Sequence, residues 1–283
     1  MTAAPAAPKA KETPKAKAAP AAEDPAAETQ RQRLSDAELV SLMDLIKGAK
    51  TVELKLTVPD DARYKTLQSL QVDPLEAEIR QILFFDTPDL ALNQAGVVVR
   101  ARRIQVKGGD TVIKLRPVVP DDLPPDIRNL PNVGVEVDAM PGGYICSASF
   151  KGQTTDSNIK AVLAGQLPIR KLFSKEQRAF YAAHAPADLS LDSLVLLGPI
   201  TIFKLKFNPK GFSRKIVAEL WNYPNGQRLL ELSTKCAPNE TFQVAAEVRA
   251  FLHTHGIETG GVQQTKTKTA LDYYSKLLTS PTA

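Results

Sequence analysis

The chain has 283 residues, 43% of them hydrophobic, with two cysteines and a formal charge of +5. That is enough apolar matter for one substantial core, while Cys146 and Cys236 are too few and too distant for a zinc site or a disulfide scaffold. No window approaches the roughly 18 apolar residues a membrane span needs, and the start lacks a secretory apolar region. A cytoplasmic protein with no membrane partner is therefore expected. Its modest basic excess suits an anionic substrate or weak nucleic-acid contact and does not choose between them.

Residues 1–32 are dominated by Ala, Pro, Lys and Glu, with Pro-Lys-Ala-Lys twice. So little apolar bulk does not offset ordering entropy, and a disordered, solubilising tail is expected. Ser35-Asp36-Ala37-Glu38 reads as a capping box opening an N-terminal helix within 33–48, stopped by Gly48. A strand from Thr51 to Val58 follows, then a helix-compatible stretch from Ala62 to Gln71. Glu76 to Phe85 reads as a strand, Asp86-Thr87-Pro88 as a turn, and Val97 to Arg102 as the next strand. Lys107-Gly108-Gly109-Asp110 turns the chain into a strand from Thr111 to Pro117. The proline-rich stretch 117–131 is a surface connection, since proline cannot donate to a ladder. Val133 to Ala139 is a strand, and helices are expected between Ser149 and His184. Further strands cover Leu194–Leu197, Ile200–Asn208, Lys215–Trp221 and Arg228–Thr234, the last two joined by an Asn225-Gly226 hairpin. Helices from Thr241 to Thr254 and from Thr265 to Leu278 end the chain. Strands joined mostly by hairpins predict a mainly β fold with flanking helices, an eight-stranded antiparallel barrel, closed because closure removes edges.

The strands share a charge pattern. Glu53/Lys55, Arg100/Arg102, Lys114/Arg116, Glu136/Asp138 and Lys204/Lys206 are each two residues apart, so each pair lies on one face of its strand. Arginine offers phosphate oxygens a planar fork and lysine a point charge. Carboxylates, here Glu53, Glu136, Asp138, Glu219 and Glu231, suit hard cations such as Mg²⁺. A closed sheet with this face inward is a lumen for a polyanion and a metal. A solvated outer face with cross-strand charge balancing is the plain alternative.

Phe85-Asp86-Thr87-Pro88, then Leu92, Gly96 and Val99-Arg100-Ala101-Arg102, resembles the signature of the CYTH family, the triphosphate tunnel metalloenzymes. Ile113-Lys114-Leu115-Arg116 resembles that family's next strand, and Thr51-Val52-Glu53-Leu54-Lys55 stands where the family has Glu-x-Glu-x-Lys. Glu219 and Glu231 are similar to its later metal-binding acids. Leu172 to Arg178 resembles the segment that supplies a further arginine, and Gln264-Thr265-Lys266-Thr267-Lys268 the segment that supplies a last lysine. The resemblance spans about 49–278 and implies a tunnel domain acting on tripolyphosphate or an organic triphosphate with Mg²⁺ or Mn²⁺. Lys55, Arg100 and Arg102 would be catalytic and Lys114, Arg116, Arg178, Lys204, Lys206 and Lys266 would bind substrate. Glu53, Glu219, Glu231, Glu136 and Asp138 would hold metal. Thr51 and Ser233 replace two glutamates of the family pattern. Cyclisation of ATP to cyclic AMP, and a binding module without catalysis, therefore stand as alternatives to hydrolysis.

Overall fold

The structure is a computed structural model, and it describes residues 35–257 and 265–279. The expected tail lies outside the described residues, as does Gln264.

The first helix, α1 (Asp36–Gly48), starts at the expected capping box, with Ser35 and Glu38 bonded reciprocally. Nine strands then form one closed barrel: β1 (Thr51–Val58), β2 (Glu78–Asp86), β3 (Val97–Ile104), β4 (Gly108–Leu115), β5 (Val133–Met140), β6 (Gly143–Thr154), β7 (Val195–Phe207), β8 (Ile216–Asn222) and β9 (Arg228–Cys236). Around the ring the order is β1-β5-β6-β4-β3-β2-β7-β8-β9, closing back on β1.

This corrects the eight-stranded antiparallel expectation. The strand left out is β6, which pairs with both β4 and β5 and continues to Thr154, where helix was expected. The two segments around Gly198-Pro199 are a single β7, whose pairing with β2 shifts register between Ile82 and Phe84. A ring with an odd number of strands cannot alternate direction all the way round. One contact must be parallel, and it is β1 against β5.

Side-chain alternation divides each strand between lumen and outer wall. The outer wall of β1, β3, β4, β5 and β6 carries a core built from Val52, Val99, Ala101, Ile113, Val135 and Ala148. Short helices α2 (Arg63–Ser69), α3 (Ala91–Gln94) and α4 (Pro125–Arg128) lie between strands. Against this core pack α1, α5 (Asp156–Leu163) and α6 (Lys175–His184), through Leu42, Ile46, Ile159 and Phe180. A second outer core joins Leu56, Ala218 and Leu232 to Phe251 and Leu252 of α7 (Thr241–Thr254). The third core is inside the barrel. Ile82, Phe84, Ile200, Ile202, Trp221 and Leu229 face the lumen and receive Ala270, Leu271 and Tyr274 of α8 (Lys266–Thr279). The C-terminal helix thus stops one stretch of the lumen with apolar side chains, and its first residue reaches the charged remainder.

Cys146 and Cys236 are buried free thiols. Among the described residues no helix is long and apolar enough to cross a membrane.

Candidate functional site

The strand registers bring most of the charged pairs to one place. Glu53 stands opposite Asp138 across the parallel β1–β5 contact, and Thr51 opposite Glu136. Across β8–β9, Glu219 faces Glu231, and Lys204 of β7 faces Glu219. The lumen acids therefore form two groups.

The first group is Glu53, Glu136 and Asp138, whose carboxylate oxygens lie within 4.8 Å of one another. Asp138 is fully buried, with Lys55 Nζ at 2.8 Å, Arg116 Nη1 at 3.2 Å and Lys114 Nζ at 3.9 Å. Neither of its oxygens receives a well-aligned hydrogen bond, so charge holds it. Burial by itself would raise the Asp138 pKa, but Lys55, Lys114 and Arg116 outweigh it and bring the carboxyl down to about 2. For Glu53, likewise, burial pushes upward and Lys55 and Lys235 win, so its pKa is lowered. Lys55 is pulled down by burial and lifted by Asp138 and Glu53, ending above its ordinary value.

The positions where two glutamates were expected feed this group with hydroxyl donors. Thr51 Oγ1 donates to Glu136 at 3.1 Å, and Ser233 Oγ donates to Glu53 at 2.9 Å. Lys235 completes it, paired with Glu136 and lying 3.7 Å from Glu53.

The second group is Glu219 and Glu231, joined through Lys266. The Lys266 ammonium pairs with Glu219 and lies 2.5 Å from Glu231 Oε1. Lys204 Nζ is 2.5 Å from the other Glu219 oxygen, and Trp221 Nε1 is 3.4 Å from Glu219 Oε2. Burial would raise Glu219, yet Lys266 and Lys204 hold it well below the carboxylate range.

Between these groups lies a wall of cations on β3 and β4. Arg100 is half-buried, and its buried Nε has no hydrogen-bond partner. Burial, and then Arg102, bring Arg100 down to about 10. Lys114 is lowered to about 8, first by burial, with Lys55, Arg100 and Arg116 adding to it. Arg102 is instead fastened by Asp110, Nε to Oδ1 at 2.7 Å and Nη2 to Oδ2 at 2.6 Å.

Of the expected site residues, Lys55, Arg100, Arg102, Lys114, Arg116, Lys204, Lys266 and the five acids converge on the lumen. Lys206 follows Lys204 on the same face but is exposed near the end of β7. Arg178 lies elsewhere. It belongs to α6, whose Gln177 bonds Thr111 Oγ1 and the Phe150 carbonyl. Thr111 points opposite to Asp110 and Lys114, so α6 rides on the outer wall. The Arg178 guanidinium donates to the Phe173 carbonyl at 2.7 Å and lines an outer cleft of about 400 Å³ with Tyr181 and Asp188.

Three participants were not anticipated. Lys235 could have been found from the period of two along Glu231, Ser233 and Lys235. Asp110 needed the β3–β4 register, which pairs it with Arg102. Trp221 looked like packing, and it is packed, but its N–H also faces Glu219 and its ring lies 5.5 Å from the Lys266 ammonium.

Hard divalent cations take carboxylate oxygens, and the residues of the first group fit one: three carboxylates converge, and Asp138 is buried with its oxygens free of well-aligned donors.

No family model and no curated protein matches the chain. Among solved structures, a candidate adenylyl cyclase of Hippeastrum, in which a triphosphatase activity dominates, matches with a TM-score of 0.58 at 16% identity. The match covers 78% of this chain and 95% of that one. A candidate adenylate cyclase of Bacillus halodurans matches with a TM-score of 0.53 at 13% identity, covering 78% and 98%. At such identities the likeness is one of fold, and the fold is the CYTH-like barrel that the linear motifs resemble.

Proposed function

We propose that this CYTH-like barrel binds a triphosphate along its lumen and hydrolyses it with one divalent cation, Mg²⁺ or Mn²⁺. The observation that carries the reading is the pairing of two unlike walls. On β3 and β4, the half-buried Arg100 has an Nε without an acceptor and the half-buried Lys114 meets its carboxylate only at 3.9 Å; on β1 and β5, three carboxylates converge.

In this reading Arg100, Lys114 and Arg116 take the phosphate oxygens. A guanidinium fork suits two oxygens at once, and such charge-assisted bonds are stronger than neutral ones. Arg102, held by Asp110, sets the register of the chain of phosphates, and Lys55 stands between the phosphates and Asp138. Glu53, Glu136 and Asp138 would hold the metal, which supplies charge neutralisation and orients a water for attack on phosphorus. The apolar end filled by α8 excludes water from the far side of the bound chain.

A binding module without turnover is the second reading. It is favoured by Thr51 and Ser233, which present hydroxyls where the family pattern has carboxylates. Product release from tripolyphosphate and from ATP, with Mg²⁺, with Mn²⁺ and with EDTA, separates the two. Orthophosphate that requires metal supports hydrolysis, and cyclic AMP would replace hydrolysis with cyclisation. Tripolyphosphate binding without any product would establish the module. Replacing Arg100 and Arg102 with alanine is expected to abolish tripolyphosphate binding in a folded barrel, and normal binding by that variant would sink both readings.

A further inference from the structure

We propose that Lys266 is the resident cation of the Glu219–Glu231 pair, so that this barrel accepts one divalent cation and not two. The inference rests on the triphosphate reading above and adds to it which acids hold metal. Sequence alone ranks Glu219 and Glu231 with the metal ligands, but their surroundings differ from those of the other three acids.

The first difference is closeness of pairing. Glu219 and Glu231 are matched one for one by Lys204 and Lys266, with ammonium–oxygen distances of 2.5 Å to each carboxylate. The first group also faces at least as many cations as carboxylates, but those around Asp138 stand at 2.8, 3.2 and 3.9 Å. A divalent ion added beside two ammonium groups would meet repulsion that burial makes stronger than in water.

The second is anchorage. Lys266 opens α8, and the helix is fixed in the barrel by Ala270, Leu271 and Tyr274. Its carbonyl accepts from Tyr223 Oη at 3.1 Å, and Tyr274 Oη donates to the Pro199 carbonyl at 3.0 Å. The Trp221 ring lies 5.5 Å from the ammonium, within cation–π range. The lysine's backbone is thereby fixed beside the two glutamates, and its ammonium is held by the two carboxylates and the ring.

The first acidic group is held more loosely. Lys235, which joins Glu136 to Glu53, is 52% exposed and sits near the end of β9, so its ammonium can turn to solvent. Lys114 is 3.9 Å from Asp138 and is free to move onto a phosphate. A ligand that recruits Lys114 and Arg116 leaves Glu53, Glu136 and Asp138 with charge to spend on a metal.

Counting bound Mn²⁺ on the full chain by electron paramagnetic resonance, with Mn²⁺ alone as the probe, tests this. One ion per chain is expected for the wild type, one for Glu219→Gln with Glu231→Gln, none for Glu53→Gln with Asp138→Asn, and two for Lys266→Met. Two ions or none on the wild type would overturn the proposal, as would one ion on a folded Lys266→Met chain. If Lys266→Met does not fold, the wild-type count and the Glu219→Gln/Glu231→Gln double variant decide: loss of the ion from that folded double variant would place the metal on the wrong acids. The count is independent of turnover. A chain that binds one Mn²⁺ yet leaves tripolyphosphate intact fails the hydrolysis reading and keeps this one.

Discussion

Asp138→Asn is the substitution that most directly probes how the lumen is held together. It keeps shape and removes one charge from a carboxylate that is fully buried among Lys55, Arg116 and Lys114. Two lines of reasoning give the cost. Lowering the carboxyl from 3.8 to about 2 corresponds to roughly 2 kcal/mol of native-state stabilisation, at about 1.4 kcal/mol per pH unit. Breaking a buried ion pair by removing one partner generally costs about 3–5 kcal/mol, because the remaining charge is left uncompensated. A loss of about 3 kcal/mol is expected, or a fall in Tm of roughly 6–12 °C for a domain of this size. Urea unfolding at pH 7 without metal, for wild type and variant, measures it. The pH dependence gives a second handle. A depressed carboxylate contributes stability that is complete above its unfolded pKa near 4 and lost as pH falls through its folded value near 2. The difference between wild type and variant should therefore be full at pH 5 and shrink toward pH 2. A loss below about 1 kcal/mol at pH 7, or a difference that persists undiminished in acid, would mean that Asp138 is solvated and the cluster is not a buried network.

Lys114, brought to about 8 by burial and its neighbouring cations, should make polyanion affinity fall as pH rises through 8. If only its charged form binds, affinity in EDTA drops about tenfold by pH 9, and Lys114→Met should remove that step in calorimetric titrations. Arg178→Ala should leave tripolyphosphate affinity within twofold of wild type, since α6 lies on the outer wall. A tenfold loss would place that guanidinium in the lumen after all.

Charge spacing made the site legible because a strand cannot hide its period. Glu53/Lys55, Arg100/Arg102, Lys114/Arg116 and Glu136/Asp138 all lie on the lumen face because alternation left no other arrangement once the aliphatic partners were buried outside. The same signal concealed β6. Its lumen positions beside Glu136 and Lys114 are Ser147 and Ser149, small and neutral, so nothing in their pattern asked for a strand. Gly198-Pro199 looked like a break between two strands because proline donates no ladder bond. The strand carries it because the opposing register shifts at that level, and a side chain on Gly198 would come within 3.0 Å of the Ile82 carbonyl. What could not be read was the pairing of side chains across the lumen. That Lys266, 47 residues from Glu219, ends between two glutamates depends on how α8 enters the barrel, and no local periodicity encodes that.

The distribution of satisfied and unsatisfied charge around the lumen gives the site a direction. On β7, β8, β9 and the start of α8, Lys204, Glu219, Glu231 and Lys266 already neutralise one another at contact distance, and a ligand placed there would have to break ion pairs to gain others. On β3 and β4, Arg100 has a buried Nε with no acceptor and Lys114 has its nearest carboxylate oxygen at 3.9 Å. Burying a charge without a close partner costs free energy, so these side chains hold the stretch of lumen where an anion removes a penalty rather than imposing one. In the proposed reading a polyanion would be drawn to β3 and β4, relieving that penalty most where its negative charge is densest. Binding there would also draw Lys114 and Arg116 away from Asp138, raising the uncompensated negative charge on the three converging acids of β1 and β5. In that reading polyanion and metal thus favour each other's binding across the lumen, each tightening a site that the other can enter alone. Coupling of this kind is reciprocal: Mn²⁺ should tighten tripolyphosphate by the same factor by which tripolyphosphate tightens Mn²⁺, once complexation between the two in solution is subtracted.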